Sequence, residues 1–327
     1  MRFDLAAIGL ASCFGSGLQN HAEKVAARTN ALSRQRNFIG SDYKPQLAAF
    51  DGDLGFESAL TRMETLATIA LADMTPPTRL HGEAALHIAI VLPEIDEAEG
   101  LTASLLARLT RKLFRLALAR FGCREARLHQ FNAGSAGVAL SLQDCLPLLR
   151  PGDVLLVLAT DSYRCRLRLG ALLSGRRLFS RRDRYGIIPG EAAAALFFVA
   201  GSAKPSLATI AGVAVETEKV REMDLGGTDF AALTTASRRS IGERAGIPLW
   251  LTDWNNGRYR AAELSYCELR LQYALADDLT ILHLPLIFGD LGAATHGLGL
   301  GLAAVDGSSA LLTASARGSG KRAAIYI

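Results

Sequence analysis

The stretch Phe131-Asn132-Ala133-Gly134-Ser135-Ala136-Gly137-Val138 decides the fold, because it joins a strand to a helix through a turn of small residues. The segment before it, 126–131, has the pattern of a strand, and 138–149 has the pattern of a helix. An apolar run at 154–159 predicts the next buried strand. Ser135 therefore lies where backbone N–H groups and the helix dipole favour negative charge.

Two halves of the chain repeat one order of elements without repeating residues, and we place them at 1–200 and 201–327, divided near the small, polar segment 201–205. Short apolar runs alternate with amphipathic segments, which is typical of an α/β protein. The predicted strands are 5–9, 87–92, 126–131, 154–159, 193–200, 206–215, 248–253, 279–284, 309–314 and 323–327. The predicted helices are 102–121, 136–149, 230–245, 259–275 and 291–304, and 41–80 and 167–185 are excursions from the framework. The order suggests two similar sheets stacked with helices between them, although a doubly wound sheet has the same periodicity.

Composition is that of a globular protein with one large domain or two fused ones: 327 residues, half of them hydrophobic and 21% charged. No apolar run reaches the roughly 18 residues that span a bilayer, so we expect no membrane span. The N-terminus lacks the layout of a signal peptide, which makes the cytoplasm the expected location.

The five cysteines and six histidines are dispersed, without Cys-x-x-Cys pairs or metal-ligand spacing. We therefore expect no disulfide framework, no metal and no cofactor. Gly318-Ser319-Gly320-Lys321 has the form of the end of a phosphate-binding loop, but Ser315 and Arg322 break the required pattern. A nucleotide site is rejected on that ground.

The net charge of +4 is mild, but arginines dominate 164–184 and face only Asp183 as an opposing charge. They are Arg164, Arg166, Arg168, Arg176, Arg177, Arg181, Arg182 and Arg184. A solvated face and a docking patch for an acidic partner explain the cluster equally well. Nucleic acid is a weaker interpretation, since few aromatics interleave with the arginines and no known motif surrounds them.

Four stretches, taken in order, resemble the β-ketoacyl synthase branch of the thiolase-like superfamily. They are Ala7-Ile8-Gly9-Leu10-Ala11-Ser12-Cys13-Phe14-Gly15, Gly134-Ser135-Ala136-Gly137 with the strand that ends at Asp161-Ser162, Gly190-Glu191-Ala192-Ala193-Ala194-Ala195-Leu196, and Gly289-Asp290-Leu291-Gly292-Ala293-Ala294. The resemblance covers nearly the whole chain. It implies a thiolase-like αβαβα sandwich of two similar halves.

The departures from that family fall on its chemistry. The resemblance implies that Ser135 occupies the position of the nucleophilic cysteine, with Gly134 as the rival alignment. It puts Asn255 or Asn256 in place of the first catalytic histidine and Asp290 in place of the second. It also implies that the Ser135 and Ser319 N–H groups form the oxyanion hole. A tight turn at 318–320 explains that glycine-rich loop equally well.

Decarboxylative condensation needs a thiolate, and then neutral donors that hold the enolate oxygen. A serine requires a general base, and an asparagine cannot take its proton. Asp290, when ionised, would repel a malonyl carboxylate. We therefore do not expect this chain to condense acyl groups alone.

Structural roles compete with catalytic ones at these residues. A helix N-cap is favoured for Ser135 over an acyl-accepting serine, and a cap is also favoured for Asp290. Turn chemistry explains Asn255-Asn256-Gly257, and Arg258, Arg260 and Glu263 fit an ion network on one helix face. Glu191 is expected to anchor backbone, and Gly297, Gly299 and Gly301 to allow close packing of a helix on a sheet.

Three functions remain open. The favoured one is a partner protein related to chain-length factors, which binds an acyl carrier protein, an acyl thioester or an active ketosynthase. The alternatives are a serine-dependent acyltransferase or thioesterase that uses Ser135, and a structural assembly protein. The resemblance further implies a homodimer or heterodimer that pairs strand 155–159 across a two-fold axis. Arg176, Arg177, Arg181 and Arg182 are the candidate carrier-docking residues.

Overall fold

The computed structural model describes residues 3–75, 84–122, 126–201, 206–224 and 226–327, so 202–205 of the expected junction, His81 and Cys123 lie outside the described residues. The strands are β1 Phe3–Ser12, β2 Gly15–Ser16, β3 Ser33–Ile39, β4 Pro45–Ala48, β5 Leu86–Leu92, β6 Arg127–Asn132, β7 Val154–Ser162, β8 Glu191–Ala200, β9 Ala208–Ile210, β10 Gly212–Thr217, β11 Ile247–Thr252, β12 Leu275–His283, β13 Ala310–Ser315 and β14 Lys321–Tyr326. The α-helices are α1 Leu18–Ala26, α2 Ala59–Asp73, α3 Ala103–Phe121, α4 Gly137–Cys145, α5 Arg166–Ser174, α6 Ala231–Ile241, α7 Arg258–Leu271, α8 Pro285–Phe288 and α9 Thr295–Asp306.

The first sheet has the order β2-β1-β8-β7-β5-β6, and β9 also pairs with β1. β5 runs parallel to β6 and β7, whereas β8 runs antiparallel to β1 and β7. Every residue of β7 is buried, as its unbroken apolar run predicts for a strand covered on both faces.

The second sheet has the order β10-β14-β13-β11-β12, and it repeats the mixture of parallel and antiparallel pairs. β11 is parallel to β12 and β13, and β14 is antiparallel to β10 and β13. A separate hairpin joins β3 and β4.

Helices α4 and α9 lie between the two sheets, where one apolar cluster contains side chains from both sheets and both helices. On the outer face of the first sheet, α2 and α3 bury a second cluster. On the outer face of the second sheet, α6 and α7 bury a third. The αβαβα sandwich is thereby confirmed, and the doubly wound alternative is wrong.

The three glycines of α9 explain how close the helix lies to the sheets. A Cβ at Gly297 would overlap Ala194 of β8, and one at Gly299 would lie 3.0 Å from a methyl carbon of Leu312 in β13. One at Gly301 would lie 2.9 Å from Leu18. The expected packing role is confirmed.

Three expectations need correction. Segment 41–80 contains α2, a helix packed on β1, β7 and β8 rather than an excursion. Predicted strand 206–215 is two strands, because β9 joins the first sheet and β10 the second. Residues 155–159 cannot pair across a two-fold axis, because β7 is already flanked by β5 and β8. An apolar run reports burial on both faces and says nothing about a strand's place within its sheet.

Within the ranges given above, no helix is both long and apolar enough to cross a bilayer. In the same ranges, His, Cys, Asp and Glu side chains form no group of three or more that could hold a metal ion.

Candidate functional site

The turn after β6 places Ser135 in the interior. Gly134 has φ +51°, and a Cβ there would lie 3.2 Å from Glu94 Cγ, so glycine suits this position on both counts. Residues Gly134–Ala136 form a 3₁₀ turn before α4 begins. The Ser135 side chain is almost fully buried, and its hydroxyl donates to the Ser315 carbonyl over 3.1 Å.

The capping interpretation of Ser135 is therefore wrong. Ala136 is the N-cap of α4, and no side chain caps that helix. The 3₁₀ turn shifts the start of the helix beyond Ser135 and directs the hydroxyl towards β13.

Asn255 follows β11 and Asp290 follows α8, and the two residues, which the resemblance put in place of two catalytic histidines, lie in contact. Asn255 Nδ2 donates to Asp290 Oδ2 over 2.6 Å, and both side chains are buried. Asp290 Oδ1 accepts the Gly292 N–H over 3.0 Å. Asp290 thus accepts the first N–H of the 3₁₀ turn Gly292–Ala294, whose N-cap is Leu291, and the expectation that it caps α9 is wrong because α9 begins at Thr295.

Asn256 is directed away from this pair. It has φ +72°, and its Nδ2 donates to the carbonyls of Arg184 and Gly186. Of the two asparagines between which the sequence left the choice open, only Asn255 lies beside Asp290. The Oδ1 atom of Asn255 is buried without a hydrogen-bond partner among the described residues.

A carboxylate occupies the expected oxyanion turn. The Gly318 N–H donates to Glu94 Oε2 and the Ser319 N–H to Glu94 Oε1, each over 2.7 Å. Glu94 follows β5 and Pro93, at the carboxyl end of a parallel strand. The Ser319 N–H therefore already donates to a group of the protein.

A buried ion cluster forms one wall of the site. Arg168 Nη1 lies 2.7 Å from Asp161 Oδ1, and its Nη2 lies 2.9 Å from Glu99 Oε2. Glu99 also pairs with Arg177 over 3.1 Å, and burial raises the pKa of Asp161. Arg168 is only 2% exposed, so the idea of a wholly solvated arginine face is wrong at this residue.

A second buried cluster lies between α7 and β13. Arg260 Nη1 lies 2.8 Å from Asp253 Oδ2, which also accepts the Ser315 N–H over 2.7 Å. Burial raises the pKa of Asp253 to about 6, against the lowering effect of Arg260. Glu263 pairs with Arg322 and accepts the Ser315 hydroxyl.

The expected ion network along the face of α7 is wrong, because Arg260 and Glu263 pair with groups outside the helix. Arg258 instead stacks on Tyr185, 3.7 Å from the ring centre. Helical spacing shows which side chains share a face, but not which neighbouring element that face contacts.

These groups enclose a cavity of about 210 Å³. Of the sequence-predicted site residues, those that line it are Ser135, Asn255, Asp290, Arg176 and Arg177. Arg181 and Arg182 are exposed and do not line it. Its other walls include Glu94, Glu99, Asp161, Arg168, Glu222, Arg260 and Arg317. Nearly half of the lining residues are charged, in contrast to the predominantly apolar lining of typical small-molecule sites.

Sequence reasoning missed Glu94, Arg317 and His296. The first was detectable as a carboxylate just after a parallel strand, where sites in such sheets are built. His296, near the start of α9, is 1% exposed, and burial lowers its pKa to about 4, while backbone groups of Leu312 and Ser135 act in the opposite sense. Its position beside the Ser135 turn follows from the packing of α9, which no local motif reveals.

Glu191 anchors backbone as expected. It is fully buried, accepts the Asp51 N–H over 2.9 Å and is held by Arg62 through two hydrogen bonds of 2.9 Å. The Ser162 hydroxyl donates to it as well. Every bond of this cluster joins groups of the protein, which supports a structural role.

No protein-family model matches this chain, and no curated protein matches it in sequence. Solved structures do match over its full length. The ishigamide ketosynthase/chain length factor has a TM-score of 0.71 and 16% identity, covering 100% of this chain and 99% of its own. A β-ketoacyl synthase from Burkholderia phymatum has a TM-score of 0.71 and 12% identity, with coverages of 99% and 98%.

A ketosynthase in complex with its chain length factor from Xenorhabdus doucetiae has a TM-score of 0.69 and 12% identity, with coverages of 99% and 97%. The chain therefore has the thiolase-like fold of ketosynthases and chain length factors. The identities are too low to carry function across by themselves.

Proposed function

We propose that this chain is a ketosynthase-like protein that does not condense acyl groups, and that it acts as a chain-length-factor-like partner in fatty acid or polyketide-type synthesis. It would bind an active ketosynthase or an acyl carrier protein. Two structures of the same fold support this class of partner. One is a ketosynthase with its chain length factor, and another is a polyketide acyl carrier protein in complex with its ketosynthase.

The observation that carries the proposal is the carboxylate of Glu94 on the Gly318 and Ser319 N–H groups. An oxyanion hole stabilises negative charge that develops during the reaction, through donors aimed at that charge. Here the Ser319 N–H, one of the two expected donors, already serves a carboxylate together with the Gly318 N–H, and that carboxylate would also repel an incoming oxyanion. This arrangement is better suited to holding the 318–320 loop in place than to acyl transfer.

The other two positions support the same proposal. The Ser135 hydroxyl donates to a peptide carbonyl, which cannot act as a general base. Asp290 is engaged by the Asn255 amide and the Gly292 N–H. Within the described residues, the hydrogen bonds of Ser135 provide no proton acceptor that would activate it.

The partner surface that we propose is the outer edge of β6. Within the described part of the chain, β6 pairs with β5 alone, and its other edge offers backbone donors and acceptors. Leu128 on this strand is 41% exposed. A second copy or a ketosynthase would extend the sheet here, and this edge replaces 155–159 as the expected interface.

We propose that the acyl carrier protein binds the exposed part of the arginine surface. Arg177 is tied to buried Glu99, whereas Arg176, Arg181 and Arg182 are exposed. An acidic carrier would be drawn to the exposed arginines by charge complementarity. We also retain the division into halves at 1–200 and 201–327 as a proposal.

The decisive experiment offers the purified chain an acyl-carrier thioester and a malonyl donor, alone and then with a separate active ketosynthase. We expect no chain extension by the protein alone and a stable complex with a carrier or a synthase. Extension by the protein alone would refute the proposal. The double charge reversal Arg181→Glu, Arg182→Glu should weaken carrier binding, whereas Arg111→Glu on the exposed side of α3 is the matched control.

The serine-dependent acyltransferase stays a hypothesis with its own test. Ser135 lines the cavity, so an acyl thioester that entered it would meet the hydroxyl. Intact-mass spectrometry after incubation with acyl thioesters should show no adduct. An adduct that disappears in Ser135→Ala would favour this alternative over the partner role.

A further inference from the structure

Arg317 carries two buried N–H groups that the protein itself does not satisfy. It follows β13 and lines the cavity, and its Nε and Nη1 are shielded from solvent without a hydrogen-bond partner in the described structure. Arg317 as a whole is partly exposed, but shielding an N–H of a charged group without an acceptor is costly, and buried polar groups are nearly always paired. The position therefore calls for an anion.

The other buried arginines of the cavity already have their counter-charges. Arg168 is shared by Asp161 and Glu99, and Arg260 pairs with Asp253. Arg177, which is more exposed, also pairs with Glu99. Arg317 differs from these three in having no ion pair among the described residues.

Two carboxylates that line the cavity form their hydrogen bonds with other groups of the protein. Glu94 accepts the N–H groups of Gly318 and Ser319, the two residues that directly follow Arg317. Asp290 accepts from Asn255 and from the Gly292 N–H. The Nε and Nη1 N–H groups of Arg317 are therefore available to a group that enters from outside the protein.

A second unsatisfied atom lines the same cavity. Asn255 is 5% exposed, and its Oδ1 is buried without a hydrogen-bond partner, while its Nδ2 is engaged by Asp290. This oxygen is an acceptor and requires a donor such as a hydroxyl or an amine. The cavity thus offers a cation and a hydrogen-bond acceptor together.

We propose that the cavity binds a small acid, whose carboxylate or phosphate group pairs with the Arg317 guanidinium and whose hydroxyl or amino group donates to Asn255 Oδ1. The volume of about 210 Å³ and the charged walls suit a short polar acid better than a long acyl chain. The proposal goes beyond the partner function, because this ligand need not be attached to a carrier protein.

Glu94 sets how strongly such an acid binds. Its carboxylate lies on the backbone next to Arg317 and reduces the local positive potential. Glu94→Gln removes that charge and keeps the shape of the side chain. The variant should bind the acid more tightly than the unmodified protein.

Calorimetric titration of the full chain with glycolate, acetate and inorganic phosphate tests the proposal. Glycolate has a carboxylate and a hydroxyl, acetate lacks the hydroxyl, and phosphate is the alternative anion. We expect glycolate or phosphate to bind, and Arg317→Ala to weaken that binding by about tenfold to a hundredfold, as for a lost charged hydrogen bond. Arg317→Lys should retain part of it, and Arg115→Ala on α3 is the control.

Asn255→Ala should reduce the preference for glycolate over acetate, measured as the ratio of the two affinities. Circular dichroism establishes that each variant is folded. Absence of binding by all three probes, or equal binding by Arg317→Ala and the unmodified protein, overturns the proposal. Neither result bears on the partner function, whose readout is carrier or synthase binding.

Discussion

The two glycine turns that precede α4 and α9 have a similar backbone conformation and differ in the chemistry of their polar side chains. In the first, Gly134 has φ +51° and opens a 3₁₀ turn that leads into α4. In the second, Gly292 has φ +48° and opens a 3₁₀ turn that leads into α9. The first presents Ser135 as a donor to a carbonyl, and the second presents Asp290 as an acceptor of two N–H groups.

The comparison indicates that the backbone geometry of each turn depends on its glycine and not on the polar side chain beside that glycine. A left-handed φ disfavours every residue with a Cβ, whatever the role of its neighbours. The polar side chains of the two turns, Ser135 and Asp290, form hydrogen bonds within the protein. Two turns of similar backbone conformation thus carry side chains of opposite hydrogen-bonding character.

The largest effect should come from Gly292→Ala. A Cβ there would overlap Asp161 Oδ2, a side chain fixed by Arg168, in addition to the left-handed strain. We expect a loss of about 2–5 kcal/mol in the free energy of unfolding from strain and overpacking. Gly134→Ala should lose only about 1–2 kcal/mol, because Glu94 is more mobile than a buried ion pair.

Urea denaturation measures both variants. Gly170→Ala in α5 is the matched control, since a Cβ there meets open space and should stabilise the helix slightly. Equal losses at Gly292 and Gly134 would show that the ion cluster does not constrain the second turn.

Asp290 should matter more for its acceptor oxygens than for its charge. Asp290→Ala leaves the Asn255 Nδ2 and the Gly292 N–H without their acceptor, at a cost of about 2 kcal/mol in unfolding free energy. Asp290→Asn should cost less, because rotation of the Asn255 amide brings its unpartnered Oδ1 to the new donor. Equal destabilisation in equilibrium unfolding would contradict this account.

His296 should make stability depend on pH. Its folded pKa of about 4 lies below the usual 6.5, so the unfolded chain binds the proton more readily between those values. The stability that His296 contributes is therefore lost as the pH falls through that window. Relative to His296→Gln, the protein should lose up to about 2 kcal/mol between pH 6.5 and pH 5.

Denaturation of the unmodified protein and of His296→Gln at the same pH values measures this difference in stability. The effect of carboxylate titration is common to both proteins and cancels. A difference that stays constant from pH 7 to pH 5 would mean that His296 is not held neutral. A difference that grows in favour of the natural protein at low pH would contradict the sign.

Ser135→Ala should have the smallest effect. It removes one hydrogen bond to the Ser315 carbonyl, worth about 1 kcal/mol, without changing the backbone of the turn. Thermal unfolding should show a shift of a few degrees at most. A much larger loss would show that the hydroxyl, and not only Gly134, holds the first turn.

The sequence predicted most of the framework because periodicity is local. Strands β5 and β7 and helix α3 lie within a few residues of their predicted limits. Helix α2 was missed, although its buried residues from Ala59 to Leu71 recur at helical spacing. The contact of Asn255 with Asp290 followed from the resemblance, which put the two residues in place of two catalytic histidines.

The amino-acid sequence by itself determined the α/β class and the order of most elements, whereas the tertiary structure separated the αβαβα sandwich from a doubly wound sheet. Only the tertiary structure decided that Glu94 reaches the Ser319 N–H across 225 positions of sequence and that two N–H groups of Arg317 have no acceptor among the described residues. The physical reason is one of range. Periodicity and backbone strain act over a few residues, whereas the partner of a buried charge depends on which distant strand ends the fold brings together.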